Sequence, residues 1–343
     1  MIHLKPGYSA AVRRSDPAGP GITRRRQGRG WRFLGPGGEP LAAADLERVR
    51  HLAIPPAWRD VWICPHPEGH IQAVGTDDAG RRQYLYHEKW RQKRDEAKHE
   101  RVQELAVRLP KFRLAVHDDL ADSGLGCHRV LGGALRILDR GVFRTGGEEY
   151  ADENGSHGVA TLLREHVTVS RSSVAFSYPA KSGLHRDVSL TDPELAALLR
   201  SLKRARTGAD RLLVYRAGRA TWHEVRSGEI NERFKELTAP EYTVKDLRTW
   251  HATVVAAIAF AKTEPPTSQR AFNRAIAAVM DTVAEDLGNT RAIARKSYVD
   301  ARVVDAFGEG RTIKRAVDRV GDDLVDETTR QALERAVLKL LDG

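Results

Sequence analysis

Cysteine is scarce in this 343-residue chain, with Cys64 and Cys127 the two present. They make no CxxC pair and no disulfide framework, which excludes a cystine-stapled secreted scaffold and fits a reducing cytoplasm. The opening residues "MIHLKPGYSAAVRRSDPAGP" hold no apolar core of the kind a secretory signal needs, so none is expected. Long hydrophobic runs are missing as well. The longest, "TVVAAIAFA" at 253–261, falls far short of the roughly 20 residues that span a bilayer. Together these absences predict a soluble cytoplasmic protein without a membrane role.

The signatures of several enzyme classes are absent too. "AKSG" at 180–183 lacks the upstream glycines of a GxxxxGK[ST] loop, so nucleotide hydrolysis has no support. His87-Glu88 is not continued to HExxH, and the thirteen histidines are scattered, so no metal site is expected. There is no GxSxG elbow, and "GPGG" at 35–38 reads as a turn. The expectation is therefore a protein with no cofactor, no metal and no small-molecule substrate.

Positive charge is what the chain has in surplus. Lys and Arg total 56 against 46 Asp and Glu, a formal +10. Such a surface favours a polyanionic partner, because phosphate contacts release condensed counterions. The charge concentrates at 81–113, where eleven Lys/Arg face five Asp/Glu. That run reads as a solvated helix face or as the lining of a DNA channel.

Residues 1 to about 90 are rich in Gly, Pro and Trp. "GRGWRFL" (28–34), "DVWICP" (60–65), "GHIQAVGTD" (69–77) and "RRQYLYH" (81–87) read as strands cut by turns, with one short helix at 42–53. A charged helix over 88–109 is expected to end at Pro110. The remainder reads as helices at 192–206, 223–236, 244–261, 268–287 and 325–341, broken by an alternating hairpin at 166–190. The fold class is α+β: a β-rich N-terminal domain, 1–90, and a larger mainly helical domain, 91–343, that carries a β-hairpin.

Four features of the helical part bear on chemistry. In "FRTGGEEYADENGSHGVATL" (143–162) Arg144 precedes a glycine pair and a short polar helix. Lys181 stands at the hairpin tip. In "TVKDLRTWHATV" (243–254), Thr243 and Asp246 give a T-x-x-D helix start, and Lys245 and Arg248 share one side of the helix. Taken alone, that pair is either a phosphate cradle or two salt-bridged surface residues. In "VAEDLGNTRAIARKSYVDARVVDAF", Gly288 stops a helix, Thr290 caps a second, Asp300 caps a third, and Tyr298 falls between. A tyrosine there is a half-buried packing residue or a nucleophile.

In combination and order, these stretches resemble one known family. "VKDLRTW", followed about fifty residues on by LGN-x8-Y, is similar to the small poxviral and bacterial branch of the type IB DNA topoisomerases. "IPPAW" (54–58), "GRRQYLYHEKW" (80–90) and the RTGG stretch extend the likeness over most of the chain. The resemblance implies a catalytic domain of the topoisomerase IB and tyrosine recombinase type. It implies Tyr298 as nucleophile, Arg144 and Arg248 as the catalytic arginines, Lys181 as general acid and Lys245 beside it. Asn289 falls where viral and eukaryotic members place a histidine, and an amide can donate a hydrogen bond but carries no charge. Gln83, Tyr84, Tyr86 and Tyr150 match DNA contacts, although strand alternation leaves open that one of Tyr84 and Tyr86 simply packs.

The implied activity is ATP- and metal-independent relaxation of supercoiled duplex DNA through a 3′-phosphotyrosyl intermediate, by a monomer that clamps the duplex and is associated with the nucleoid. A free phenol has a pKa of about 10, so positive charge is needed to favour its attack. Arginines supply this permanently and fork onto phosphoryl oxygens. Two other readings stay open at this stage. A tyrosine recombinase shares the chemistry but usually carries H-x-x-R where this chain has Lys245-x-x-Arg248, and a non-catalytic DNA clamp needs only the charge and the fold.

Overall fold

A computed structural model describes residues 12–141, 143–147, 155–219 and 221–343. Tyr150 and most of the polar helix expected after Arg144 lie outside the described residues. The chain divides into two compact units, Met1–Lys98 and His99–Gly343.

The first unit is an antiparallel five-stranded sheet in the order β2-β1-β3-β4-β5. Its strands are β1 (Ile22–Gln27), β2 (Gly30–Leu34), β3 (Arg59–Ile63), β4 (Ile71–Thr76) and β5 (Arg82–Tyr86). Helix α1 (Ala43–His51) closes one face, where Val49 meets Ile22, Ile63 and Ala73. Strand β1, "ITRRRQ", is not apparent in the sequence because three consecutive arginines erase its alternation. It forms because Gln27 pairs with Gly30 across a two-residue turn, where Gly28 adopts φ +59. On edge strand β5, Leu85 turns towards the core and the alternation leaves both Tyr84 and Tyr86 exposed. Neither tyrosine packs inward, and their rings stack on each other at 6.1 Å.

Helix α2 (Glu88–Ala121) contains the division between the units. It does not stop at Pro110, as its sequence suggested, but runs eleven residues further, to Ala121. A helix-interior proline costs about 3 kcal/mol. Val102, Leu105 and Leu109 before it and Phe112, Val116 and Leu120 after it keep one buried stripe in phase. At about 1.5–3 kcal/mol per buried side chain, that stripe outweighs the proline.

The second unit is helical around a buried centre. Its helices after α2 are α3 (Cys127–Gly141), α4 (Pro193–Arg204), α5 (Ser227–Leu237), α6 (Val244–Ala261), α7 (Gln269–Leu287), α8 (Arg291–Ser297), α9 (Ala301–Gly308), α10 (Lys314–Val320) and α11 (Glu327–Leu341). Helix α6 is buried on nearly every side and forms the axis of the unit. A three-stranded antiparallel sheet, β6 (Val167–Val169), β7 (Ser173–Pro179) and β8 (His185–Thr191), supplies the expected hairpin. The helix expected at 223–236 starts late. Trp222–Glu224 instead forms strand β10 against β9 (Val214–Arg216), and Val225 N–H donates to Leu213 O at 3.0 Å. Arg216 over the Trp222 ring at 5.4 Å adds a reason for the strand to win.

Helix α11 is fixed by more than its apolar face. Arg113 of α2 and Arg330 of α11 both grip Asp139 of α3, at 3.0 and 2.7 Å, and Arg113 also holds Glu334 at 2.7 Å. All four groups are buried. The two guanidiniums hold the Asp139 carboxyl well below the usual carboxylate range despite its burial.

Candidate active site

The candidate site forms around the C-terminal end of α7. That helix closes with Gly288 at φ +59 and with Asn289 N–H returning to Ala284 O at 2.8 Å. Glycine supplies the left-handed turn that places Asn289 at the helix exit. The last carbonyls of a helix have no partner within it and carry its negative partial charge. Here they are met by arginines. Arg248, one turn into α6, is 5% exposed and donates Nη2 to Leu287 O at 2.8 Å. Arg144 donates Nη2 to Gly288 O at 3.3 Å and to Asn289 Oδ1.

Because guanidinium has no acceptor, the contact with Arg144 fixes the Asn289 amide with its oxygen towards the arginine. The amide nitrogen, Nδ2, is buried and has no hydrogen-bond partner among the described residues.

Arg144 is presented by a tight backbone crossing. Val159 N–H donates to Arg144 O at 2.9 Å and Ala160 N–H to Thr145 O at 2.8 Å. At Gly158 a Cβ would lie 2.4 Å from Gly146 N, so the crossing itself requires glycine. The preceding Phe143 stacks on Tyr178 and meets Phe176 edge-on, anchoring the arginine to β7.

Tyr298 follows α8, whose first turn is capped by Thr290 Oγ1 accepting from Ile293 N–H at 3.3 Å. Its backbone is pinned to α6: Thr253 Oγ1 donates to Tyr298 O at 3.4 Å and accepts from Asp300 N–H at 3.2 Å. Val299 and, on α9, Val303 and Phe307 are buried, and Phe307 stacks on Phe260 at 4.5 Å. The half-buried ring of Tyr298 lies 5.5 Å from the Arg248 guanidinium carbon. Burial pushes the Arg248 guanidinium below its ordinary value. The Tyr298 phenol opposes that, while the charges of Arg144 and Arg186 add to it.

The structure thus brings Tyr298, Arg248, Arg144 and Asn289 to one helix end. Lys181 occupies the turn Lys181–Gly183 between β7 and β8 and is exposed. Lys245 is exposed on the first turn of α6, one turn before the buried Arg248. In the first unit, Gln83 lies on the Leu85 side of β5, opposite the two tyrosines, and its amide donates to Asp77 Oδ2 at 2.9 Å.

Sequence reasoning missed Arg186, His251 and Thr253. His251 Nε2 meets Asp286 Oδ2 at 2.8 Å, joining α6 to the last turn of α7. Arg186, on β8, donates to Glu285 O and Asp286 O at 3.3 and 3.0 Å. No local spacing marks these residues, although an arginine five positions beyond a hairpin-tip lysine was visible.

With that geometry in view, comparison with known proteins defines the class. The family described as eukaryotic DNA topoisomerase I, catalytic core, matches residues 87–323, and the bacterial DNA topoisomerase IB N-terminal domain matches residues 30–77. The chain belongs to the type IB DNA topoisomerase family and is a type I topoisomerase, an isomerase whose partner is duplex DNA. A DNA topoisomerase 1B from Acanthamoeba polyphaga mimivirus is 29% identical over 268 residues, covering 76% of this chain and 79% of the viral protein. No helix among the described residues is long and apolar enough to cross a membrane.

Proposed function

We propose that this topoisomerase relaxes supercoiled DNA by two reversible transesterifications, with Tyr298 as nucleophile and a 3′-phosphotyrosyl intermediate. The observation that carries it is the convergence on one helix end of the Tyr298 ring, the Arg248 guanidinium 5.5 Å away, and the Arg144–Asn289 pair.

The Tyr298 oxygen attacks the scissile phosphorus, and the phenol proton passes to solvent. Arg144 and Arg248 turn guanidinium N–H groups onto the nonbridging oxygens, where charge builds in the transition state. Asn289 Nδ2 donates to the same phosphoryl group. Its donor role needs no positive charge, which is how an asparagine serves where a histidine stands in other members. As the P–O5′ bond breaks, its electron pair stays on O5′, which takes a proton from the Lys181 ammonium, with Lys245 assisting. Such acid catalysis is worth about 100- to 10,000-fold. The free 5′ end then swivels before the reverse steps reseal the strand, so neither ATP nor a metal ion is consumed or required.

The protein acts as a monomer that clamps the duplex. Tyr84, Tyr86 and Gln83 contribute contacts from the β-rich unit, and Tyr150, outside the described residues, adds another. Exposed phenols suit hydrogen bonds to phosphate or base edges.

The test uses supercoiled plasmid in EDTA without ATP. Wild-type protein is expected to relax it and, after a denaturant quench, to leave protein covalently attached to 3′ ends. Tyr298→Phe is expected to bind DNA normally and to give neither product. Relaxation by Tyr298→Phe would refute the assignment.

A further inference from the structure

The two arginines assigned to the phosphate cover only half of the α7 terminus. Four successive carbonyls, Glu285 O to Gly288 O, are met by three guanidiniums: Arg186 takes the first two, Arg248 the third and Arg144 the fourth. Arg186 reaches this point from β8, in the same hairpin as Lys181.

Its place in the hairpin is specific. Arg186 pairs with Tyr178 on the rung next to the last, and only Pro179–His185 lies between that rung and the Lys181–Gly183 turn. Tyr178 is buried and stacks on Phe143, beside Arg144. Strand β7 is therefore anchored through Tyr178, and β8 is anchored through Arg186 to the turn that presents Asn289. Among the described residues, the strand end beyond them is met by His157 N–H on Pro179 O at 2.8 Å and by Ser156 Oγ on Ala180 O at 3.4 Å. A Cβ on Gly288 would come within 2.9 Å of Arg186 Nη1, so the guanidinium is seated tightly against that turn.

We infer that Arg186 is a positioning residue for the proton donor: its two-carbonyl fork holds the last rungs of the hairpin against α7 and so sets the reach of Lys181 to the leaving 5′-oxygen. The inference rests on the role proposed for Lys181. Arginine suits the task because its planar fork spans two acceptors, whereas a lysine ammonium is a single point. Both terminal nitrogens of Arg186 are engaged on backbone, in keeping with a structural hold on the hairpin.

The experiment compares two duplexes that carry the same cleavage site, mapped beforehand from adducts trapped on plasmid. One has oxygen and the other sulfur at the bridging 5′ position. A thiolate leaves without a proton, so the sulfur duplex does not need the acid. In single-turnover cleavage by the full-length protein, Arg186→Ala is expected to slow the oxygen duplex by about 10- to 100-fold, less than complete loss of an acid. On the sulfur duplex it is expected to stay within about threefold of wild type, as is Lys181→Ala. Arg186→Lys, which keeps the charge and loses the fork, should show the same contrast more weakly and serves if the alanine variant unfolds. Equal loss on both duplexes, or no loss on either, would overturn the inference while leaving wild-type cleavage intact. Wild-type protein forming no adduct on either duplex would instead overturn the phosphotyrosyl reading beneath it.

Discussion

Asn289 offers a test in which activity and stability should part company. In Asn289→Ala two things are lost. One is the hydrogen bond from the Arg144 guanidinium to Oδ1, and bonds to charged groups are worth about 1.5–3 kcal/mol. The other is Nδ2, buried without a partner among the described residues, whose removal relieves a desolvation penalty of about 1–3 kcal/mol. The two nearly cancel, so the variant should unfold within about 1 kcal/mol of wild type in urea. The catalytic balance has no such compensation. If Nδ2 donates to the phosphoryl group in the transition state, its loss should slow single-turnover cleavage by about 100- to 1,000-fold, the usual effect of deleting one donor to a developing oxyanion. DNA affinity should barely change, since the duplex is held by many phosphate contacts. Arg144 adds a second check: because Asn289 orients it, the losses in Asn289→Ala and Arg144→Ala should combine to less than their product. Cleavage by Asn289→Ala within threefold of wild type would refute the donor role. A loss of several kcal/mol in stability would show that the amide is a structural residue instead.

Other consequences can be checked separately. Asp139→Asn strips the carboxylate from two buried guanidiniums and should cost about 3–5 kcal/mol in urea unfolding, with α11 released first. Because the Asp139 carboxyl is held low in the folded protein, its contribution is fully present above the ordinary carboxylate value of about 3.9 and fades as pH falls below it. A wild-type unfolding midpoint that declines in that acid window, with a flatter decline in Asp139→Asn, is the expected pattern. Tyr84→Ala and Tyr86→Ala remove exposed rings, 43% and 40% accessible, so folding stability should hold. Each should raise the Kd for duplex DNA by about 2- to 10-fold, the worth of one hydrogen bond, measured by anisotropy at fixed salt.

Whatever depended on neighbours three or four positions away was legible in the sequence. Thr243 with Asp246, Gly288, Thr290 and Asp300 all act at the helix ends expected of them, because a cap is closed by the backbone beside it. The alternation of β7 and β8 and the periodicity of α6 and α7 were readable for the same reason. Where local signals misled, a distant partner had intervened: a continuous buried stripe carried α2 through Pro110, and pairing with β9 drew Trp222–Glu224 out of a helix.

The sequence by itself determined the local geometry and the residue types for the chemistry. It placed a tyrosine between two caps, arginines at two points, an asparagine after a helix-stopping glycine and a lysine on a hairpin tip. Which arginines share a site was decided only by the tertiary structure. Arg144, Arg186 and Arg248 lie about 40 to 145 positions from the carbonyls they bind, and no periodicity spans such distances. They meet because the last carbonyls of α7 lack partners within their own helix, and folding brings three forked cations to a place that local structure leaves unsatisfied.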